Sequence, residues 1–492
     1  MKKFFLCFLM ALSAVGTYSQ TEIDKVKETV SKAEIEGHIY FLADDLLKGR
    51  EAGTPENKIA ASYLANTLRS YGVKPNPKTG TYYQTVPMEK KPAPKPIYLT
   101  INGKEYKYKL PMKSAKLEVT TEGVYLGYGM ESDFEGKDLR KKFVIVKSGS
   151  ANSPSVRAAF GLTQQKEQLA KAAGALGVIE LVDTDQRTWG RIDHFVNSPR
   201  LELASGEKTN EDGRFGYIWM MDEKGSLANE LDGAPNPSVK VDMSLSPVSK
   251  IISQNVIGVV EGTDPKLKNE YVIYSAHYDH VGIGSPDATG DTIYNGARDN
   301  AVGTTTVLSM AKNLAKYPTK RSALFILFTA EEKGLLGSKY YVENPVLPLK
   351  QMVYCFNSDN GGYNDTSLAT IVGLERTTAQ KNIEMAAADF GLKAIEDPAP
   401  EQGLFDRSDN VHFAAKGIPA PTFSMGFTSF DGEVTKYYHQ PGDHADSLDY
   451  DYLLKFFRAY VMAGRNIAND TKTAVWVSGD KYEAAGKTLY GN

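Results

Sequence analysis

Five short motifs hold the residues of this chain that could do chemistry: HYD at 277–279, GARDN at 296–300, AEEKG at 330–334, NSDN at 357–360 and YYH at 437–439. Among their side chains are two imidazoles and three carboxylates, His277, Asp299, Glu332, Asp359 and His439. That donor set suffices for two zinc-like ions if one carboxylate bridges, because each ion then has three protein contacts and keeps a position open. Open positions belong to catalytic sites, whereas structural zinc sites are closed by four protein ligands.

The neighbours of these five suggest further roles. In HYDH, positions 277 and 279 face the same way along a strand, so Asp279 can accept a hydrogen bond from the His277 ring nitrogen that does not bind metal, fixing the tautomer. An isolated HxD is more often a polar strand end; here four other motifs accompany it. Asp299 directly precedes a helix-like stretch, where its ordinary role is an N-cap. A metal-binding carboxylate at a helix start gains from the same dipole. Glu331 and Glu332 end the apolar run ALFILFTA, and two adjacent carboxylates facing one cleft repel unless cations compensate. If Glu332 binds an ion, Glu331 is left to take a proton from metal-bound water and pass it to a leaving amine. Tyr438, whose alternative is a core aromatic, can present its hydroxyl to a developing oxyanion. His38, His194, His280, His412 and His444 have no such context and are assigned no chemistry. Cys355, within MVYCF, reads as a buried, inert strand residue.

These residues need a scaffold that brings them together. From Gln254 the sequence alternates strand and helix: NVIGVVEG, EYVIYSAHYD, a helix from Asn300 to about Tyr317, ALFILFTAEE, a helix near Gly337, then QMVYCFNSDN. Apolar runs buried on both faces, alternating with amphipathic helices, predict an α/β fold with a mostly parallel or mixed central sheet flanked by helices. Ligands of such sheets bind beyond the carboxyl ends of strands, which is where His277, Glu331, Glu332 and Asp359 fall. Ahead of it, residues 20–111 begin with two or three amphipathic helices broken at Gly49 and Gly53. Residues 112–247 show short alternating runs with one helix at QKEQLAKAAGALGV and read as an inserted β-rich module. The expected organisation is a signal at 1–19, an N-terminal part at 20–111, the insertion at 112–247, a catalytic domain at 248–470 and a C-terminal extension at 471–492.

Taken together, HYD, GARDN, AEEKGLLGS, NSDN, RSDNVHFAAKGIP (407–419) and YYHQPGD resemble metallopeptidase family 28, the co-catalytic zinc aminopeptidases. LADDLLKGREAGTPENKIAASYL resembles the helical start that precedes those motifs, and VYLGYG, DLRKKFVIVKSG and AKAAGALGVIELVD resemble the protease-associated domain inserted in many members. The resemblance implies a zinc exopeptidase fold of the phosphorylase/hydrolase-like type with two zinc ions. One would be held by His277 and Asp359 and the other by Glu332 and His439, with Asp299 bridging. It implies Glu331 as general base, Asp279 as orienter, Arg407 as a substrate-binding residue, and Ser408 and Asp409 as supports. The chain departs from the family pattern at Asn410, where a histidine is frequent after Ser-Asp, and at Val302, where a small residue is usual. The implied activity is removal of amino-terminal residues from peptides by a dizinc-bound hydroxide. Rival readings are a single-zinc glutaminyl cyclase, a carboxypeptidase, for which no arginine cluster is evident, and an inactive receptor-like binding protein of the same fold.

The first residues, MKKFFLCFLMALSAVGTYSQ, have two lysines, an apolar stretch and small residues, the pattern of a secretory signal; the apolar stretch is shorter than a membrane-spanning helix needs. Without Lys2 and Lys3 the chain keeps 55 basic residues against 60 acidic, a charge of -5 in place of -3. This gives no reason to expect nucleic acid or an anionic membrane as partner, and no membrane anchor is expected. Cys7 and Cys355 are the only cysteines, so the mature chain has a single thiol. Export without disulfides suits a bacterial periplasmic or extracellular enzyme acting on peptides. Oligomeric state and the preferred first residue of a substrate are not legible.

Overall fold

Runs such as YVIYSAH and SALFILF are apolar, β-branched and aromatic without alternation, and each forms a strand buried along its whole length. They belong to the principal sheet of a computed structural model that describes residues 20–204 and 213–491. The expected signal at 1–19 lies outside the described residues. Among the described residues no helix is long and apolar enough to cross a membrane.

The chain divides into two compact units, Met1–Val86 with Ile252–Asn492, and Pro87–Ile251. In the first, the strands that position the site are β1 (Ser249–Val260), β2 (Tyr271–His277), β3 (Ser322–Phe328), β4 (Met352–Ser358), β5 (Leu368–Val372), β6 (Lys393–Glu396) and β7 (Thr422–Met425), part of a ten-stranded sheet. They lie in the order β6-β5-β7-β4-β2-β3-β1. The central pairs β2·β3, β2·β4 and β4·β7 are parallel, whereas β1·β3 and β5·β7 are antiparallel. The sheet is mixed, as expected, with a parallel centre.

Helices cover both faces. Tyr274 and Ala276 of β2 and Phe325 and Leu327 of β3 point to one side, where they pack with α1 (Glu22–Thr29), α2 (Lys32–Leu42), α3 (Pro55–Ser70), α4 (Gly303–Lys316), α6 (Gln380–Asp389) and α7 (Tyr450–Asn469). Ile273, Leu324 and Ile326 point to the other side, toward α5 (Leu336–Glu343), Phe413 and Trp476. The alternation follows the two-residue period of a strand. In α7, Gly464 lets the helix reach β2: a Cβ there would lie 2.6 Å from the Tyr274 ring, whose hydroxyl donates to the Gly464 carbonyl at 3.0 Å.

The second unit has its own sheet, with four adjacent parallel strands at Leu117–Tyr125, Phe143–Lys147, Gly177–Val182 and Gly216–Met221. The expected helix is displaced toward the amino terminus, at Val156–Ala172, and the end of the expected stretch belongs instead to the strand Gly177–Val182. A second helix, Gln186–Asn197, occupies a stretch that reads as polar; it buries Trp189, Ile192 and Val196 at helical spacing. Lys166 and Glu180 are both fully buried and pair at 2.6 Å, and Glu180 also accepts from Tyr217 and Trp219, each at 2.8 Å. A buried pair tolerates its desolvation only when its hydrogen-bonding capacity is met in this way.

Candidate metal centre

The register of the central strands sets the site. His277 ends β2 and lies beside Phe328, the last residue of β3; Ser275 lies beside Asn357 of β4 and donates to its side chain at 2.8 Å. One turn beyond β3 come Glu331 and Glu332, and just beyond β4 comes Asp359. Asp299 enters from the segment before α4, where the expected capping role is not seen: α4 starts at Gly303, its N-cap is Val302, and the Asp299 side chain faces histidines. The peptide bond joining Asp299 to Asn300 is cis. His439 and Ala330 both hold left-handed backbone, at φ 52° and 57°, a conformation that costs about 1–3 kcal/mol for residues other than glycine and concentrates at functional sites.

All five residues singled out by spacing converge. The Nε2 of His277 lies 3.3 Å from both Asp299 Oδ1 and Asp359 Oδ1, and 4.0 Å from Glu331 Oε2. The Nε2 of His439 lies 3.1 Å from both Asp299 Oδ2 and Glu332 Oε2. The candidate ligand atoms form two sets, His277, Glu331 and Asp359, and His280, Asp299, Glu332 and His439, and within each set they all lie within 4.8 Å of one another.

Asp279 sits differently from the expectation. Its carboxylate is 3.8 Å from His277 Nδ1, which instead meets the Asp279 main-chain carbonyl at 3.2 Å. The carboxylate accepts from the backbone N–H of Glu331 at 3.1 Å and of Glu332 at 3.4 Å, so it orders the glutamate turn. Tyr438 stacks on His439, with ring centroids 4.1 Å apart, and its hydroxyl accepts from Arg407 at 3.3 Å. Arg407 and Tyr438 line the same cleft as the five donors, together with an apolar wall of Val372, Leu404, Phe427, Phe430 and Val434.

The charge balance of the cleft is unusual. Burial alone would lower the pKa of His277, but Glu331, Asp359 and Asp299 outweigh it and raise it well above the imidazole range. Burial, with Asp359, Asp409 and Glu332 adding to it, pushes Glu331 well above the carboxylate range. Burial likewise lifts Asp279 to about 6 and Asp409 to about 7. In Glu332 burial and Asp299 act upward, yet hydrogen bonds from His280 and His439 hold it at about 2. Carboxylates crowded out of water shift or pair rather than stay charged alone, so this excess of buried acid over base fits divalent cations. Nitrogen and carboxylate donors without a thiolate suit zinc among them.

Several functional partners were not found from sequence. His280, assigned no chemistry above, places Nδ1 2.7 Å from Glu332 Oε1 and 3.9 Å from Asp299 Oδ2. Its position directly after HYD was the only signal available. Arg298 donates to Asp443 at 2.9 Å, and the backbone of Arg298 and Asp299 donates to the same carboxylate, tying the GARDN and HQPGD segments together. Asn300 donates to the Ser358 carbonyl at 2.9 Å and accepts from Asn360 at 3.1 Å. Asn410 donates to the Ala420 carbonyl at 3.0 Å, so at this departure from the family pattern the side chain braces the loop before β7.

Residues 255–463 match the model of Peptidase family M28. Aminopeptidase YwaD of Bacillus subtilis (strain 168) is 27% identical over 325 residues, which cover 65% of this chain and 61% of that protein. The probable leucine aminopeptidase 2 of Aspergillus oryzae is 25% identical over 263 residues, covering 47% of this chain and 48% of that protein. The chain thus spans about half to three-fifths of the length of these two relatives. Among solved structures, the aminopeptidase from Aneurinibacillus sp. strain AM-1 is similar with a TM-score of 0.55 at 24% identity, covering 92% of this chain and 97% of that one; this likeness shows the fold.

Proposed function

We propose that this chain is an exported metalloaminopeptidase of the M28 type that holds two zinc ions and removes amino-terminal residues from peptides. The observation that carries the reading is the placement of Asp299, whose two oxygens face His277 at 3.3 Å and His439 at 3.1 Å while each histidine has a second carboxylate of its own. That is the arrangement a bridging ligand requires, with His277 and Asp359 on one ion and Glu332 and His439 on the other. Bound there, the ions would polarise a peptide carbonyl and acidify water.

The chain's own residues supply the rest. Glu331 is buried beside the donors and, ionised once cations offset the carboxylates around it, would take a proton from the attacking water and deliver it to the leaving amine. The Asp279 carboxylate holds the Glu331 and Glu332 backbone in place. Tyr438, whose oxygen accepts from Arg407, is the group assigned to donate toward an oxyanion. The carboxylates attract a free amino terminus, and the wall of Val372, Leu404, Phe427, Phe430 and Val434 suits an apolar side chain on the first residue. The amino-terminal pattern supports export, and the inserted unit is read as a protease-associated domain.

The test is a panel of aminoacyl fluorogenic substrates with amino-blocked controls. Apolar first residues should be preferred, and acetylating the amino group should remove most of kcat/KM while amidating the carboxyl end changes little. Efficient cleavage of the acetylated peptide would turn the reading toward an endopeptidase or carboxypeptidase.

A further inference from the structure

The GRE turn of the amino-terminal segment carries a buried charge that the proposed chemistry does not use. Arg50 is 1% exposed, yet its hydrogen bonds go to neutral carbonyls: Nε to Tyr278 at 2.8 Å, Nη1 to Asn295 at 2.6 Å and to Leu42, and Nη2 to Gly296 at 3.0 Å. Tyr278 stands between His277 and Asp279, and Asn295 and Gly296 lead into Asp299. A single guanidinium, whose donors are fixed in one plane, therefore joins the two rim loops that carry these residues to the end of α2.

The surrounding structure is shaped to admit it. Arg50 holds left-handed backbone at φ 49°. Gly49, at φ +66°, lies so near the rim loops that a Cβ would come 2.4 Å from the Tyr294 carbonyl oxygen and 2.6 Å from that of Gly282. The Arg50 carbonyl accepts from Asn57 at 3.0 Å. From the other side, the Asn295 side chain donates to the Ala43 carbonyl and to Asp45, each at 2.8 Å. Burial lowers the Arg50 pKa to about 10, with Asp279, Asp299, Asp443 and Glu332 opposing the fall, so it stays charged at neutral pH.

We propose that Arg50 is a positioning residue of the metal centre: its fork pins the Tyr278 and Asn295–Gly296 carbonyls so that His277 and Asp299 stand ready for metal and Asp279 holds the glutamate turn, and its fixed charge offsets part of the carboxylates' mutual repulsion. The metal-binding half of this inference rests on the dizinc reading; the loop-pinning half does not.

The experiment compares Arg50→Lys and Arg50→Met with the parent full-length protein. The control is Arg321→Lys, another fully buried arginine that pairs with Glu270 at the opposite end of β3. Amide hydrogen exchange on metal-free protein, zinc affinity by competition with a chromophoric chelator, and the split of kcat and KM on an aminoacyl anilide are read for each. In both Arg50 variants, exchange should quicken about tenfold or more within 278–280 and 295–299. Zinc should bind about tenfold or more weakly, and kcat should fall with KM within about threefold. Arg321→Lys should lower Tm without moving zinc affinity or exchange in those segments. Unchanged exchange and zinc affinity in folded Arg50 variants would overturn the proposal. So would global unfolding of both, which would make Arg50 a residue of folding. A parent that binds no zinc would instead sink the dizinc reading, leaving the exchange result to decide loop pinning.

Discussion

Glu331 and Glu332 are neighbours of one residue type, and their surroundings separate them. Glu332 faces two histidine nitrogens, at 2.7 and 3.1 Å, whereas the nearest histidine nitrogen to Glu331 is 4.0 Å away. Glu331→Gln keeps size and removes the proton acceptor, so turnover should fall by about 10² or more with zinc content intact. Glu332→Gln removes a charged ligand and should lower zinc content itself. Elemental analysis beside initial rates checks both, and equal metal loss in the two variants would show that the pair is misassigned. Most donor residues were legible because His277, Glu332 and Asp359 follow apolar strands and Asp299 precedes a helical stretch, whereas His439 was legible only through the YYH motif it ends. His280 was not, since its contact with Glu332 depends on the chain turning back after Asp279. Arg50 was invisible in principle: three of its four partners are carbonyls more than two hundred residues away, and every residue has a carbonyl.

At the scale of elements, the strands were legible because burial on both faces leaves an unbroken apolar signature, and the helix after Asp299 because its apolar residues recur at helical spacing. The segment between them was not, because the Asp299 backbone and the Asn300 side chain bond to distant segments, at Asp443 and Ser358. The packing of α2 on its neighbours yields a further prediction. Glu34 accepts from Lys312 of α4 at 2.5 Å and from Tyr71, which caps α3, at 2.7 Å. Burial raises its pKa, but the bonds from His38, Lys312 and Tyr71 outweigh that and hold it at about 2, below the usual 4.5. A depressed folded pKa means that the stabilisation is present above pH 4.5 and is lost as pH falls toward 2. Its size, allowing for partial exposure, is about 1–2 kcal/mol. Glu34→Gln should therefore lower Tm at pH 7 and converge on the parent near pH 2–3 in a series of thermal melts. A constant difference across that range would mean the carboxylate's charge is not what joins these helices.

Over the whole molecule, the donors and the apolar wall all come from one compact unit, and residues 87–251 contribute none of them. The second unit has its own sheet and its own buried clusters, so it has the interior an independently folding module needs. Chemistry and insertion should therefore be separable. Replacing residues 87–251 with a short flexible linker should leave hydrolysis of a small aminoacyl anilide within about tenfold of the parent, once circular dichroism shows that the remaining unit is folded. Segments joined to a rigid scaffold often carry its selectivity, and we propose that role for the insertion. On that reading the same deletion should shift the peptide-length preference measured on a ladder of substrates from two residues upward. Loss of the anilide activity in a well-folded deletion would show that the insertion supports the chemistry itself. An anilide rate and a length profile both equal to the parent's would reduce it to a passive module.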